Sequence, residues 1–434
     1  MTQREHSYWR FYWPLSLMGV VSLAGGLVQN YVLLGYESGV RELAVFALAQ
    51  AVLWIFAAGT AFTSQMANVL VRGPLSMRSA LRFMVTLCIV LSVPLALMGW
   101  TPLGHLVLPL VCNVSEENLT LIVRYLRYLS PLVLVGGASG FQIGLLVQAR
   151  RTGMVTALAV TQLGLTAGTL AAGVRFRWGP VVTLSLSILV PAVANLVLTT
   201  LLRFAYHTHT ALEEDRPLGQ REIAAFFLPL VFTALLFTLS RPIILAFITA
   251  HRRDDLVAME TMVAAVSLAW SFNVLFQSAA NQFRDLFITF GRRDLDGVRR
   301  FMGRTTAVLT CLMLLVVATP LGTLFLRYLQ GATGETLRMA RQALWVLVFV
   351  PPIIAWRNYY HGLTLIHRRT RGMTAGSFMR NVAILATALL LTSLGWYNHV
   401  AAAGTLVVGF AVEALTVTLV TRGWRRQMAT EGVA

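Results

Sequence analysis

Twelve long apolar segments occupy most of this chain and restrict it to a small set of folds. A membrane-crossing helix needs ~20 mostly apolar residues, because the hydrocarbon core of a bilayer is about 30 Å thick. The segments lie at 11–34, 43–71, 79–100, 119–148, 155–173, 180–202, 223–249, 256–287, 301–329, 340–366, 374–396 and 400–421. Only 12% of the residues are charged, about half the share in an average soluble protein. The sequence therefore predicts an all-α polytopic membrane protein with twelve transmembrane helices.

Arginine supplies all of the basic charge, since the sequence contains no lysine. The arginines concentrate near both chain ends and in the loops after even-numbered segments, for example at Arg72, Arg150, Arg292 and Arg368. Cytoplasmic loops of membrane proteins carry an excess of basic residues. The pattern predicts that both termini are cytoplasmic, and we expect a multi-pass protein of a bacterial inner membrane. Topology thus accounts for the net charge of +17, and no nucleic-acid partner is predicted.

The second half of the chain repeats the first. Three motifs recur in the same order about 218 residues later: "RFM" at 82–84 and 300–302, "TPLG" at 101–104 and 319–322, and "GLLVQARRTGM" from 144, which returns as "GLTLIHRRTRGM" from 362. Each half holds an even number of segments, so both halves begin on the same side of the membrane. We expect two parallel six-helix repeats, an architecture of alternating-access carriers. The predicted domains are an N-terminal bundle (1–206), a cytoplasmic linker (207–220) and a C-terminal bundle (221–434).

Charged residues deep inside the apolar segments all fall in the second half. They are Arg241, Arg357, Arg380 and Glu413, deep within segments seven, ten, eleven and twelve, together with Arg284 and Asp285 near the end of segment eight. A charge at the centre of a lone spanning helix costs roughly 2.5–3.5 kcal/mol on insertion scales, and such residues usually mark functional sites. The corresponding positions of the first half are neutral. The C-terminal bundle is therefore the predicted location of the site.

The deep arginines outnumber the deep carboxylate. Glu413 can pair with Arg357 or Arg380 purely to organise the bundle, but it cannot neutralise all three arginines. We expect the excess positive charge to face a water-filled cavity, where a transported anion supplies the missing negative charge. A planar guanidinium binds phosphate or carboxylate groups through two parallel hydrogen bonds. The sequence thus predicts an anion site.

Residues beside these arginines complete the predicted site. Asn358 and Tyr359 belong to the motif "WRNYYHG" at 356–362, one face of which is expected to line the site. Pro242 follows Arg241 directly and is predicted either to break the helix and free a carbonyl or simply to kink it.

Amide side chains in the first half predict a polar cavity in the N-terminal bundle, although many buried amides only join helices. The candidates are Asn30, Asn68, Gln142, Gln162 and Asn195. The sequence contains no GxxxxGK[ST], GxSxG or HExxH motif, and its cysteines lack CxxC spacing. We therefore predict that the chain is not an enzyme and has no metal site and no cofactor. Coupling to a proton or a sodium ion stays open.

Five motifs in chain order carry a resemblance to a known family: "YWPL" (12–15), "SRPI" (240–243), "WRNYYHGLTLIHRRT" (356–370), "SFMRN" (377–381) and "VGFAVEALT" (408–416). Together they resemble the progressive ankylosis protein family. The resemblance implies a twelve-helix, two-lobe carrier related to the multidrug and toxic-compound extrusion (MATE) carriers, within the superfamily that includes lipid-linked oligosaccharide flippases. It also implies export of anions such as ATP and citrate.

These observations predict a monomeric alternating-access transporter, embedded in membrane lipid, that exports small organic or phosphate-bearing anions. The predicted substrate-binding residues are Arg241, Arg357, Arg380, Asn358 and Tyr359, and the predicted gating or charge-pairing residues are Glu413, Arg284, Asp285 and Pro242. One alternative is a flippase for a lipid-linked pyrophosphate glycan. Others are a MATE-type ion-coupled multidrug exporter, which the lack of a deep acidic residue in the first half disfavours, and a non-transporting scaffold or channel.

Overall fold

The computed structural model describes residues 3–37, 39–111, 116–206, 215–251 and 256–430, which form helices and contain no β-strand. The first half comprises α1 (Gln3–Leu34), α2 (Gly39–Ala58), α3 (Thr63–Leu70), α4 (Pro74–Trp100), α5 (Leu103–Val111), α6 (Glu116–Leu129), α7 (Leu132–Gln148), α8 (Thr152–Arg175) and α9 (Pro180–Tyr206). The second half comprises α10 (Gln220–His251), α11 (Leu256–Asn281), α12 (Phe283–Phe290), α13 (Leu295–Ala318), α14 (Pro320–Leu324), a π-helical turn (Phe325–Leu329), α15 (Gly334–Leu347), α16 (Val350–Ile366), α17 (Arg371–Ser393) and α18 (His399–Thr430).

Length and composition make these helices membrane spans. In the described ranges, 11 candidates are long and apolar enough to cross a bilayer, or up to 12 if the pair α15–α16, bent by 40°, is one span. The bend lies just before Pro351 and Pro352, because proline lacks the N–H that would continue the preceding helix. The predicted all-α membrane fold is confirmed, and the twelve predicted segments match the upper count.

Apolar side chains also cover the outer faces of the helices. Val308, Leu312 and Leu315 on α13 are exposed at helical spacing, and so are Leu385 and Leu389 on α17. Soluble monomers rarely expose contiguous apolar patches larger than a few hundred Å². These stripes are the expected lipid-facing surface of spanning helices.

The helix boundaries confirm the predicted internal repeat. The bounds of α6 and α15 differ by 218 residues at both ends, and so do those of α7 and α16. Residues 150 and 368, again 218 apart, are both arginines in the left-handed region, with φ of 58° and 56°. The repeat therefore extends from motifs to individual backbone angles.

Each of these left-handed residues ends a helix in the same way. The N–H of Arg151 donates to Leu146 O at 2.9 Å, and the N–H of Arg369 donates to Thr364 O at 2.8 Å. This six-residue return bond is the Schellman motif, which satisfies carbonyls left open at a helix C-terminus. A second matching pair of left-handed residues is Arg177 (φ 55°) and Gly395 (φ 71°), where the motif ends α8 and α17.

The chain divides into two compact units, one formed by 13–234 and the other by 1–12 with 235–434. We refer to them as the N-terminal and C-terminal units. The division falls within α10, whereas sequence analysis places a linker at 207–220, of which 207–214 lie outside the described residues. The predicted domain bounds stay a prediction.

The N-terminal unit has a core of large apolar side chains from α1, α2, α4, α6 and α9. Leu33, Phe46, Tyr125 and Leu126 are all nearly or fully buried there. A Cβ on Gly99 would lie 2.7 Å from the backbone of Arg127, so α4 and α6 can approach this closely only because residue 99 is glycine.

The start of α1 belongs to the C-terminal unit. The hydroxyl of Tyr8 donates to Asp294 Oδ2 at 2.6 Å, and that of Tyr12 donates to Ala279 O at 3.0 Å. The Tyr12 ring also stacks on Phe283 with centroids 4.8 Å apart. The two hydrogen bonds satisfy the hydroxyl groups of these buried tyrosines and, with the ring stacking, fix the start of α1 to α11, to α12 and to the residue that caps α13.

Candidate functional site

Glycine brings α17 and α18 together at the charged residues of the C-terminal unit. A Cβ on Gly376 would overlap the Val417 side chain and lie 3.3 Å from Glu413 Cγ. A Cβ on Gly409 would lie 2.6 Å from Ile384 Cγ1 and 3.1 Å from Arg380 Cγ. Small residues let membrane helices approach closely, so the two glycines set the distance between Arg380 and Glu413.

Arg380 and Glu413 form a buried ion pair. Arg380 Nη1 donates to Glu413 Oε2 at 2.7 Å, and the two residues are 0% and 1% exposed. Arg380 Nε donates to Ser240 Oγ at 3.0 Å, and Ser377 Oγ donates to Glu413 Oε1 at 2.9 Å. The Arg380 guanidinium also lies over the Phe237 ring, 4.9 Å from its centroid. Serine hydroxyls and an aromatic face thus help to compensate the lost hydration of the pair.

Arg357 reaches the same carboxylate from α16. Its Nη1 donates to Glu413 Oε2 at 3.3 Å and its Nη2 donates to Asn281 Oδ1 at 2.9 Å. Asn358 is held beside it, because Asn358 Nδ2 donates to Ala280 O at 2.8 Å while its Oδ1 accepts from Arg357 Nε at 3.3 Å. One carboxylate oxygen therefore serves two buried arginines.

Three more titratable side chains surround this pair of arginines. His361 is 1% exposed, and its Nε2 lies 4.0 Å from Glu413 Oε1. Arg284, whose Nε donates to Asn281 O at 3.3 Å, is near enough to Arg357, Asp285 and Glu413 to interact with their charges. We define the charged cluster as Arg284, Asp285, Arg357, His361, Arg380 and Glu413. With a neutral histidine, its three arginines exceed its two carboxylates by one positive charge.

Some buried nitrogen atoms of the cluster have no hydrogen-bond partner among the described residues. Arg380 Nη2 is buried, and no hydrogen-bond partner for it is found among the described residues. The two ring nitrogens of His361 are also buried, and no hydrogen-bond partner for them is found in the described ranges. Buried polar groups normally have partners, and exceptions call for a ligand, a water or a functional explanation. The cluster can accept a further hydrogen-bonding group.

Two predicted site residues lie outside the cluster. Arg241 is exposed and lines a small cleft with Ile244 and Trp270, although its neighbour Ser240 contacts Arg380. Tyr359 packs edge-on against Phe287 with ring centroids 5.1 Å apart. The structure therefore gathers Arg357, Arg380, Asn358, Glu413, Arg284 and Asp285, and it places Arg241 and Tyr359 on other surfaces.

Of the two outcomes expected at Pro242, a helix break or a simple kink, the structure shows no break. The helix α10 runs without interruption from Gln220 to His251, through Arg241 and Pro242. Proline removes one backbone donor, but neighbouring groups in a membrane helix can satisfy what it frees, so a spanning helix can continue through it. Pro242 thus opens no gap beside the cluster.

The N-terminal unit contains a polar cleft of its own. Gln162 lines it together with Gln29, Thr166 and Ser187, and Gln29 Nε2 donates to Ser187 Oγ at 3.3 Å. The other predicted residues are dispersed: Asn30 is exposed on α1, Asn68 and Gln142 are buried on α3 and α7, and Asn195 is half-buried on α9. By the repeat, Gln162 and Asn195 correspond to Arg380 and Glu413, so neutral amides replace the ion pair.

Sequence reasoning gave Ser240, Ser377 and Asn281 no role in the site, although all three hydrogen-bond to residues of the cluster. Ser377 had a usable signal, since it precedes Arg380 by three residues and therefore lies on the same helix face. Asn281, at the end of α11, had no comparable signal because many amides of the chain fall within apolar segments.

Known structures resemble this fold over nearly its full length. No family model matches the sequence, and no curated protein matches it. A eukaryotic MATE transporter, AtDTX14, superposes with a TM-score of 0.76 at 13% identity and covers 99% of both chains. A point mutant of VcmN, a MATE transporter of Vibrio cholerae, gives 0.72 at 13% identity over 98% of this chain and 97% of its own. A MOP-superfamily transporter of Pyrococcus furiosus gives 0.73 at 16% identity over 98% and 96%.

The chain thus has the fold of the MATE transporters. Identities this low establish the fold alone. The narrower resemblance to the progressive ankylosis family does not appear among these matches.

Proposed function

We propose that the protein is an alternating-access membrane transporter for organic or phosphate-bearing anions, and that the charged cluster is its anion site. The observation that carries this proposal is the sharing of one carboxylate, Glu413, by two buried arginines, Arg357 and Arg380. A buried ion is expensive unless it is paired, and here one positive charge of the cluster is left over. An anionic substrate would supply the missing charge.

Glu413 serves as an internal substitute for the substrate. Its Oε2 accepts hydrogen bonds from the guanidinium groups of both Arg357 and Arg380. An entering carboxylate or phosphate would compete for the same donors and would also find the free Nη2 of Arg380. Charge-assisted hydrogen bonds of this kind are about twice as strong as neutral ones. Binding would therefore release Arg357 from Glu413 and change the packing of α16 against α18.

Two further observations support an anionic substrate. The Pyrococcus furiosus transporter with this fold is described as having a binding pocket of reversed polarity, which suggests a different function for that protein. The motifs of the present chain resemble the progressive ankylosis family, whose vertebrate members export ATP and citrate. We propose that the chain belongs to that family and that it exports its substrate from a bacterial cytoplasm as a monomer. We further propose that both termini are cytoplasmic, which the arginine distribution supports.

A MATE-type exporter of organic cations is the second candidate, because the fold itself favours it. Such an exporter needs acidic residues free to bind a cation. The Glu413 carboxylate is instead held by two arginines and a serine. The two candidates differ in the sign of the substrate charge and can be separated by one assay.

That assay is counterflow into proteoliposomes. Vesicles containing the purified protein and preloaded with unlabelled citrate or ATP should accumulate the radiolabelled anion, whereas a labelled organic cation should not accumulate. Arg357→Gln should lower anion uptake at least tenfold. The matched control is Arg338→Gln, which removes an exposed arginine paired with Glu335 and should transport normally. Cation uptake that persists in Arg357→Gln would favour the second candidate instead.

A further inference from the structure

A large groove opens on a different face of α16 in the C-terminal unit. It lies between α13, α16 and the end of α18, and its lining includes Arg299, Gly303, Trp356, Tyr359, Tyr360 and Arg422. The groove has a cavity volume of about 550 Å³, within the ~300–1,000 Å³ of typical small-molecule pockets. Residues 356, 359 and 360 fall on one side of α16, while Arg357, Asn358 and His361 face the charged cluster. The groove is therefore separate from the proposed anion site.

Aromatic side chains form one wall of the groove, and their contacts hold them in place. Trp356 Nε1 donates to Thr418 Oγ1 at 3.1 Å while the indole stays 41% exposed. The Tyr359 ring contacts both Phe287 and Tyr360 edge-on, with centroids 5.1 Å and 5.0 Å away. A held but exposed tryptophan offers an apolar surface that an alkyl chain can cover.

The opposite wall is open at a glycine. A Cβ built on Gly303 of α13 would meet nothing within 4 Å. Thr306 follows one turn further along the same helix and also lines the groove. Because α13 rises ~1.5 Å per residue, the lined stretch from Arg299 to Thr306 is about 10 Å long. The groove therefore follows about two turns of α13, and we call this stretch the channel.

Polarity changes along this channel. Arg299 lies five residues into α13 and Arg422 lies near the end of α18. Tyr359 and Tyr360 approach the end of α16, and these three helix ends are on the same side of the membrane because successive spans alternate in direction. Pro352 and Ala355, in contrast, lie closer to the membrane centre. The groove therefore has a basic end at the interface and an apolar interior.

One buried polar atom also points to a ligand. Thr421 lines the basic end and is 1% exposed, yet its Oγ1 has no hydrogen-bond partner among the described residues. The described lining contains two arginines and no carboxylate. A negatively charged, hydrogen-bonding head would thus find two cations and a hydroxyl, and no opposing charge.

We infer that this groove binds an anionic glycerophospholipid. Its phosphate sits between Arg299 and Arg422, and one acyl chain follows the channel past Gly303 and Trp356. Guanidinium groups bind phosphate through paired, charge-assisted hydrogen bonds. Basic pockets between spanning helices on the cytoplasmic side are a recognised form of lipid headgroup site. Because α16 supplies a wall here and Arg357 in the cluster, the bound lipid contacts the helix that carries the anion site.

Native mass spectrometry of the purified full-length protein tests this inference. The protein, in a neutral detergent, is titrated with dioleoyl phosphatidylglycerol and, separately, with dioleoyl phosphatidylcholine. Phosphatidylglycerol should bind at one site at least tenfold more tightly than phosphatidylcholine. Equal binding of the two lipids would overturn the inference.

Variants separate the head site from the chain site. Arg299→Gln/Arg422→Gln should weaken phosphatidylglycerol binding at least fivefold, whereas Arg293→Gln/Arg371→Gln, which removes two exposed arginines on the same side of the unit, should not. Gly303→Leu places a side chain in the channel at a position where a Cβ meets nothing within 4 Å, and it should also weaken binding. Gly168→Leu is its control, because that position is equally open. Unchanged phosphatidylglycerol binding in both groove variants contradicts the inference. Displacement of the lipid by glycerophosphate at equal concentration also contradicts it, because it would show that no acyl chain is recognised.

The thermal unfolding midpoint of each variant in phosphatidylcholine vesicles, measured in parallel, verifies folding. A groove variant that loses phosphatidylglycerol binding at an unchanged midpoint supports the assignment. If the lipid affinity and the unfolding midpoint of a groove variant fall together, Gly303→Ala provides a smaller change at the same position. This variant should still weaken phosphatidylglycerol binding at an unchanged midpoint. If it does not, the inference fails. Anion transport does not enter these measurements, so their outcome is independent of the proposed function.

Discussion

Arg380 Nη1 lies 2.7 Å from Glu413 Oε2, between two helices that contact each other through Gly376 and Gly409. Arg357 reaches the same oxygen at 3.3 Å. Breaking a buried pair by removing one partner costs about 3–5 kcal/mol, whereas replacing both partners is often close to neutral. This asymmetry gives the cluster a distinctive response to mutation.

Glu413→Gln should destabilise the empty protein by about 3–5 kcal/mol, because it leaves two buried arginines without a carboxylate. Citrate or pyrophosphate should restore much of the loss by supplying the missing charge. The measurement is the thermal unfolding midpoint of the purified protein with and without the anion. Glu335→Gln, which removes an exposed carboxylate, should change the midpoint little. A midpoint of Glu413→Gln that does not respond to anions would speak against an anion site.

The double variant Arg380→Gln/Glu413→Gln should be more stable than Glu413→Gln alone, because only one buried arginine, Arg357, is then left without a carboxylate. It removes both charges of the closest pair, and glutamine amides can bond to Ser240 and Ser377 in their place. We expect a coupling free energy of about 0.5–3 kcal/mol from a double-mutant cycle of unfolding. Anion transport should nevertheless stay low, because Arg380 is absent. Additive effects of the two substitutions would show that the ion pair contributes nothing measurable.

Gly376→Val should separate α17 from α18 and destabilise the protein by about 1–3 kcal/mol, the usual effect of overpacking. Its Cβ would overlap Val417 and press on Glu413. Gly404→Ala is the control on α18, since nothing lies within 4 Å of a Cβ there, and it should gain up to about 1 kcal/mol from helix propensity. Equal unfolding midpoints for the two variants would contradict the close helix contact.

The repeated helix ends predict opposite effects at two matched positions. Gly395 has φ of 71°, so Gly395→Ala should cost roughly 1–2 kcal/mol, the penalty for a left-handed residue with a Cβ. Arg177 has φ of 55° at the equivalent position of the first repeat, so Arg177→Gly should be neutral or stabilising. The check is the unfolding midpoint of each variant against the parent. The same sign of change in both would contradict the structural equivalence.

The sequence predicted the membrane fold and its repeat correctly because both depend on patterns that survive without three-dimensional detail. Apolar length decides whether a segment spans a bilayer, and the motifs 218 residues apart coincide with matching helix bounds. Apolar length does not reveal breaks within a segment. Segment 340–366 consists of two helices with a bend of 40° between them.

The site was harder to predict, because the sequence does not show which way each side chain of a helix faces. Ser240 and Arg241 are adjacent, but consecutive residues of an α-helix project ~100° apart. Ser240 therefore contacts Arg380, whereas Arg241 lines a cleft with Trp270. Sequence reasoning also treated the partner of Glu413 as a choice between Arg357 and Arg380. In the structure one carboxylate is bound by both.

Equilibrium binding of radiolabelled citrate to the purified protein tests the central claim most directly. Arg357→Gln should weaken binding at least tenfold, because it removes a donor and the surplus charge. Glu413→Gln should strengthen binding, because it removes the internal competitor and leaves a second positive charge unmatched. Opposite shifts in the dissociation constants of these two variants are the predicted result. Citrate affinity that is the same in both variants and in the parent would contradict the account.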